Sequence, residues 1–483
     1  MMRSLYSGVS GLKNHQTRMD VVGNNISNVN TTGFKSSRVT FSDTLSQTLS
    51  GASAPTENRG GTNPKQIGLG SATSAIDTLF TDGSVQSTGV NTDLCLSGNG
   101  LFIVKDGNLS YYTRNGNFKF DKEGYYVNSD GLKVQGWSAT TPGDAINTNG
   151  QPSEICIPAG KTMAASATKV ATFSKNLDAA EPMIASMSVT YADGTTADVP
   201  AGTTTAVEVG KNFGAAAKKV ASITLKMTDG TTTTETSGAF KLNNSKPKTT
   251  IATIYDSLGN AHNVTIYMTK TEVNSTNGNK WTISLDPAGT KKQTITESDG
   301  TTTTVNMNDL ELQFDVNGGL KTGSGTATLT LTNGAGTNQS VNLTFDDVTQ
   351  YAGSSTAFAT TDGNAAGTLK SVSIDSNGVI TGTYTNGLNV QEAQVAIAQF
   401  NNASGLTKTG NSLYTESNNS GTPNIGTISD LGCTVTPSSL EMSNVDMASE
   451  LTDMIVTQRG YQSNSKIITV SDELLETLIN MKR

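Results

Sequence analysis

Apolar residues recur at helical spacing at both ends of the chain. From Met447, alternating steps of four and three reach Leu451, Met454, Gln458, Tyr461, Ser465, Ile468, Asp472, Leu475 and Ile479, a heptad-like seam with three polar breaks. Ile455, Leu474 and Leu478 widen it. Ser438 with Glu441, and Ser443 with Asp446, each offer a capping-box start. The pattern predicts a helix running from one of these starts to the last residues, about 50–55 Å long at a rise of about 1.5 Å per residue. The first thirty residues mirror it, with Leu5, Val9, Leu12, Met19, Val22, Ile26 and Val29 at steps of three, four or seven, and Asn30-Thr31-Thr32-Gly33 ending the run. Gly8, Gly11 and Gly23 each cost this helix about 1 kcal/mol relative to alanine. Alone in water it is marginal. The expectation is that the two ends pair with each other and also with neighbouring copies, ordering on assembly. A coiled coil confined to one monomer is the plainer alternative.

Between the ends the period shortens. Residues 31–70 are polar, contain Pro55 and Pro64, and read as an extended connecting arm with one short helix at Ser42–Leu49. From 71 to 139, apolar runs at Ala75–Phe80 and Leu101–Val104 alternate with Asp82-Gly83, Asp106-Gly107, Asn115-Gly116 and Asp130-Gly131, which predicts a meander with type I′ turns. A matching piece returns at 371–439, with Asn377-Gly378 and Asn386-Gly387 as its turns, and the two pieces are expected to form one inner β domain. Residues 140–370, Thr-rich and dense in strand-turn units, form an inserted outer β part, with 185–245 as a separable portion. The fold class expected is therefore multidomain and mainly β, with long paired terminal helices and β domains nested between them.

The 483 residues leave room for about three domains. Only 15% are charged, and the net charge of −8, without any basic run, argues against nucleic acid or an anionic membrane as partner. No signal peptide is evident in Met1–Ser10, and no apolar stretch is long enough to span a membrane. The low-charge, Thr/Gly-rich body nevertheless looks like an exported surface protein, which points to export without a cleaved signal. Cys95, Cys156 and Cys433 are odd in number and far apart, so they build no disulfide framework.

Chemistry is hard to place. His15 and His262 lack metal partners nearby in sequence. There is no GxSxG elbow, Ile155 stands where a phosphate loop ending at Gly160-Lys161-Thr162 needs its first glycine, and Gly98-Asn99-Gly100 does not continue as a dinucleotide fingerprint. No enzyme activity, cofactor or metal site is expected.

Certain motifs resemble a known family. Ser7–Leu12, reading SGVSGL, and the run Gly23-Asn24-Asn25-Ile26-Ser27-Asn28-Val29-Asn30-Thr31-Thr32-Gly33-Phe34-Lys35 resemble the N-terminal signature of the bacterial flagellar rod and hook family. Ser443-Asn444-Val445-Asp446 and Gln458–Asn464, reading QRGYQSN, resemble its C-terminal signature, and Leu96–Val104 resembles the start of its β segment. Tyr255-Asp256-Ser257-Leu258-Gly259-Asn260-Ala261-His262 is similar to a motif of the outer domain of hook proteins and, with the large insert, favours hook over rod subunits. The likeness covers residues 1–140 and 370–483 well and the insert patchily.

The resemblance implies a structural subunit that polymerises with itself into a curved hollow tube, a universal joint passing torque from rod to filament. It implies an extracellular hook on the flagellar basal body and export through the flagellar type III apparatus. The partners implied are the hook cap protein, the distal rod protein and the hook-filament junction protein. Spirochaete relatives join their subunits through lysine and a dehydrated cysteine; Lys175 stands here where those have cysteine before Asn-Leu, which argues against that crosslink. The alternatives are a distal rod subunit, for which the insert is superfluous, and a secreted β-rich adhesin, which should carry a cleavable signal or an anchor.

Overall fold

In the computed structural model the described residues are 2–55, 57, 59–140, 143–288, 291–297, 300–321, 326–332 and 338–481. Helix α1 spans Met2–Ser27 and helix α2 spans Met447–Asn480. The turns after α1 close at Gly33, whose φ of 65° lies in the left-handed region that glycine enters without strain. The 34 residues of α2 give a rod of about 51 Å.

Helix α2 starts later than either the Ser438 or the Ser443 cap predicts. Its N-cap is Asp446, whose carboxylate accepts from the backbone N–H of Ala448 at 3.0 Å and of Ser449 at 3.5 Å. Ser439–Glu441 is a strand paired with Val85–Ser87, and Leu440 and Glu441 are buried there. Tertiary pairing overrides the local capping pattern.

The short helix expected at Ser42–Leu49 is strand instead. Strand β1 (Ser37–Asp43), β2 (Ser46–Ser50), β3 (Lys65–Gly68) and β4 (Ser71–Thr78) form two antiparallel ribbons, β1 with β4 and β2 with β3. Residues 42–49 lack a 3.6-period apolar stripe, and cross-strand partners at 65–78 take their backbone groups, as in Thr44 N–H to Gly70 O at 3.0 Å. The β2–β3 ribbon is exposed along its whole length.

The chain divides into two compact units, residues 1–161 with 369–483 and residues 162–368. In the first, the strand Gly100–Asp106 pairs with Leu109–Thr113, Lys133–Ser138 and Ile397–Gln399, and Lys133–Ser138 also pairs with Asn389–Val395. Phe102, Val104, Phe118, Tyr126, Val134, Val395 and Ile397 form its centre. The early piece is not a simple meander. β4 returns to β1, and Leu94–Ser97 pairs with Thr434–Pro437 from the far end of the sequence.

The second unit holds a six-stranded sheet and a four-stranded sheet around Trp281, Phe314 and the stacked rings of Phe173 and Phe345, whose centroids lie 4.3 Å apart. A five-stranded sheet within 184–242 has its own core of Val189, Ile223, Leu225 and Phe240. The type I′ turns expected at Asp82-Gly83, Asp106-Gly107, Asn115-Gly116 and Asp130-Gly131 are absent, since no Asp or Asn of these pairs has positive φ. Hairpins also turn at Asp193-Gly194, Asp229-Gly230, Asn377-Gly378 and Asn386-Gly387. At each, only the glycine has positive φ and its N–H bonds the carbonyl three residues back, the three-residue loop with a glycine bulge.

Candidate assembly site

Helices α1 and α2 lie antiparallel. Ser4 is beside Ser471, Arg18 reaches Asp453 at 3.0 Å and Asn25 reaches Glu450 at 2.9 Å. Two of the three glycines of α1 explain the close approach. A Cβ on Gly8 would stand 3.3 Å from the Ile468 side chain, and one on Gly11 would stand 2.6 Å from the Asn464 amide. On α2, a Cβ on Gly460 would stand 2.6 Å from the His15 ring, whereas Gly23 faces open space. The helices meet through small and polar residues, and the buried residues of α2 are Thr457 and Ser471.

That contact uses only part of the predicted seams. Val22 is buried; Leu5, Leu12, Met19, Ile26 and Val29 are half-buried, and Val9 is exposed. On α2, Met454, Ile468 and Leu475 are half-buried against α1 or beside it, while Met447, Leu451, Ile455, Tyr461, Leu478 and Ile479 are exposed, joined by Val456, Ile467, Val470 and Leu474. An apolar helix surface of this length open to water is the chief unsatisfied feature of the first unit.

The motif after α1 ties the helix pair to the β body. Asn25 is buried; its side-chain NH2 bonds Ser37 O at 2.8 Å and its side-chain oxygen accepts from Ser37 N–H at 3.0 Å, so one amide closes α1 onto β1 while also holding α2 through Glu450. Asn24 and Asn30 are exposed; Asn28 and Thr31 are half-buried and bonded to each other at 3.1 Å. Gly33 and Phe34 are buried, and a Cβ on Gly33 would strike the Arg114–Asn115 backbone. Asn444, just before α2, donates to Leu79 O at 2.8 Å and accepts from Ser36 N–H at 2.7 Å.

Beneath these contacts lies a buried ion cluster that sequence reasoning missed. Lys35 Nζ is 2.5 Å from Glu441 Oε1 and 2.6 Å from Thr81 O; Glu441 also accepts from Gly83 N–H at 2.8 Å and pairs with Arg114 at 3.3 Å. Arg114 further donates to Leu96 O at 2.8 Å and to Gly98 O. Burial pulls the Lys35 ammonium below the ordinary lysine range, against the opposing pull of Glu441. Phe34-Lys35 and Leu440-Glu441-Met442 show the one available signal, a lone charge among apolar neighbours at each end of the sequence. Their pairing is nonlocal and has no sequence signature. The packing roles of Thr457, Gly460, Asn464 and Ser471 were likewise missed, because an apolar period carries no signal for small and polar residues at a close helix contact.

The Tyr255–His262 motif is a tight turn in the second unit. Asp256 Oδ1 accepts from Leu258 and Asn260 N–H groups at 2.9 and 2.8 Å, Asn260 donates to Asp256 Oδ2 at 3.0 Å, and Gly259 takes φ of 89°. Tyr255 N–H bonds Thr168 Oγ1 at 2.9 Å, and buried His262 bonds Glu297 at 2.8 Å. These residues are joined to one another and not to the helical seams. Among the described residues there is no group of three or more His, Cys, Asp or Glu side chains placed to hold a metal, and no helix is long and apolar enough to cross a membrane.

Four family descriptions match the chain: flagella basal body rod protein over residues 5–35, flagellar hook protein FlgE/F/G D1 domain over 95–172, flagellar basal body protein FlaE D2 domain over 227–364, and flagellar basal body rod FlgEFG protein C-terminal over 436–481. The flagellar hook protein FlgE of Borreliella burgdorferi is 40% identical, with all of both chains covered, and that of Treponema pallidum 38%, again with all of both covered. The Salmonella typhimurium hook protein is 31% identical over 99% of this chain and 100% of its own. The flagellar basal-body rod protein FlgG of Bacillus subtilis is 48% identical over 36% of this chain and 69% of its own. A solved structure of Helicobacter pylori flagellar hook protein FlgE2 aligns with a TM-score of 0.47 at 16% identity, covering 74% of this chain and 100% of that one.

Proposed function

The chain belongs to the flagellar hook protein family, and on that premise we propose that its paired terminal helices are the surface through which copies polymerise into a curved, hollow tube. It is a structural subunit of the flagellar hook; the rod likeness covers 36% of the chain against 99–100% for the hook relatives. One observation carries the assembly reading: α2 turns its small and polar residues to α1 and leaves Leu451, Ile455, Leu474, Leu478 and Ile479 exposed. Each is already partly covered, so burying the remainder on another copy is favourable by about 1 kcal/mol per residue.

In this reading residues 1–30 with 440–483 form the tube, 71–139 with 371–439 the β layer around it, and 140–370 the outer part. The exposed β2–β3 ribbon, with Leu45, Leu49 and Ile67 facing water, lies between neighbouring copies. The Thr-rich outer surface slides as the tube bends. The subunit leaves the cell through the flagellar type III apparatus without a cleaved signal, meets the hook cap, distal rod and hook-filament junction proteins, and catalyses nothing.

The test is negative-stain electron microscopy of the full chain beside a deletion of 2–27 and 447–481, a cut that spares Lys35, Glu441 and Asn444. Curved hollow tubes from the full chain and a folded monomer from the deletion are expected. Straight rods favour the rod reading, and a full chain that stays monomeric under assembly conditions refutes the proposal.

A further inference from the structure

A cleft of about 400 Å³ opens within the 162–368 unit. Its floor is one face of the strands Ala261–Glu272 and Lys280–Ser284, where Thr269 pairs with Thr282 across the ladder and Thr271 and Ser284 extend the row. Thr282 Oγ1 donates to Thr271 Oγ1 at 3.5 Å, and Thr271 Oγ1 to Lys280 O at 3.4 Å. Thr269 and Ser284 line the cleft and are only 8% and 6% exposed. Phe240, Lys241, Asn244, Asp286 and Asp309 also line it, with exposed Thr204 and Thr205 at its lip.

The chemistry of this lining narrows the ligand. An anion would face the carboxylates of Asp286 and Asp309 in the lining. A metal ion lacks a third carboxylate, histidine or cysteine ligand among the described residues. An apolar ligand would strip water from the Thr269 and Ser284 hydroxyls and leave them unsatisfied. A sugar hydroxyl both donates and accepts, as do Thr and Ser, and Phe240, Pro247 and Pro287 in the lining offer apolar contact to a sugar face. The volume lies at the small end of ligand sites. We propose that this cleft binds a neutral carbohydrate of one or two sugar units, with Thr269 and Ser284 as its principal hydrogen-bonding groups.

Saturation-transfer NMR on the full chain tests this with maltose, cellobiose and N,N′-diacetylchitobiose at millimolar concentration. Transfer to at least one of the three is expected, with at least a tenfold loss of affinity in the Thr269→Val/Ser284→Ala variant. A second variant, Thr205→Trp, fills the exposed lip without touching the core and should abolish the signal. Absence of transfer from all three sugars overturns the proposal. So does undiminished binding in either variant when circular dichroism shows it folded. If the double variant does not fold, Thr205→Trp decides alone.

Discussion

Lys35 and Glu441 are 406 positions apart, yet Lys35 Nζ stands 2.5 Å from Glu441 Oε1 with both side chains fully buried. Glu441 also faces Arg114 at 3.3 Å, and Arg114 is met in addition by Asp82 at 3.4 Å, so two carboxylates offset two buried cations. Glu441→Gln is expected to destabilise the first unit by about 3–5 kcal/mol, because an uncompensated buried charge costs far more than a missing surface pair. Lys35→Met should cost less, since Arg114 still pairs with Glu441. Chemical denaturation of both single variants and the double variant measures the coupling; equal, small effects would show that the cluster is not what joins the two ends of the chain.

The helical glycines should behave in opposite ways. Gly460→Val drives a side chain into the His15 ring and should separate α1 from α2, seen as lost helical ellipticity and lost tubes. Gly23→Ala meets nothing and should stabilise α1 by about 1 kcal/mol. The thermal melts of the two variants check both signs.

Exposed seam residues should be dispensable for the monomer and essential for the polymer. Ile455→Lys and Leu478→Lys are expected to leave the circular dichroism spectrum unchanged and to abolish tubes in electron micrographs. Thr457→Lys, at a fully buried position against α1, should instead disrupt the helix pair itself.

Burial raises the Glu450 carboxyl above its ordinary range, and the hydrogen bond from Asn25 opposes this only in part. A raised carboxyl pKa means the folded state holds the proton more tightly than the unfolded chain. Its contribution is fully present below the ordinary value of 4.5 and is lost as pH rises through the folded value. The helix pair should therefore melt higher on the mildly acidic side, and Glu450→Gln should flatten that slope in melts taken from pH 4 upward.

The three cysteines should react unequally. Burial pushes the Cys95 thiol up to about 11, so at pH 8 it holds about a hundredfold less thiolate than an ordinary cysteine. Cys156 is half-buried, whereas Cys95 and Cys433 are both buried. Timed iodoacetamide labelling read by peptide mass mapping should find Cys156 modified first.

The apolar period at Leu5–Val29 and Met447–Ile479 was legible because helical spacing is a local property. The Gly23–Lys35 run and the Ser443–Asp446 motif likewise sufficed to place the chain in its family. The strand-turn density of the middle announced a mainly β body, although the turn type did not follow from Asp-Gly and Asn-Gly pairs, since backbone twist and a bulge at the glycine chose the loop. Nonlocal contacts decided the rest. Helix α2 begins at Met447 and not near Ser438 because Ser439–Glu441 finds a strand partner at Val85–Ser87, and residues 42–49 are strand because 65–78 supplies their hydrogen bonds. The inward face of α2 is the one bearing Thr457, Gly460, Asn464 and Ser471, because antiparallel helices approach closely where side chains are small. That choice leaves Leu451, Ile455, Leu474 and Leu478 to water, and only the tertiary structure could show it.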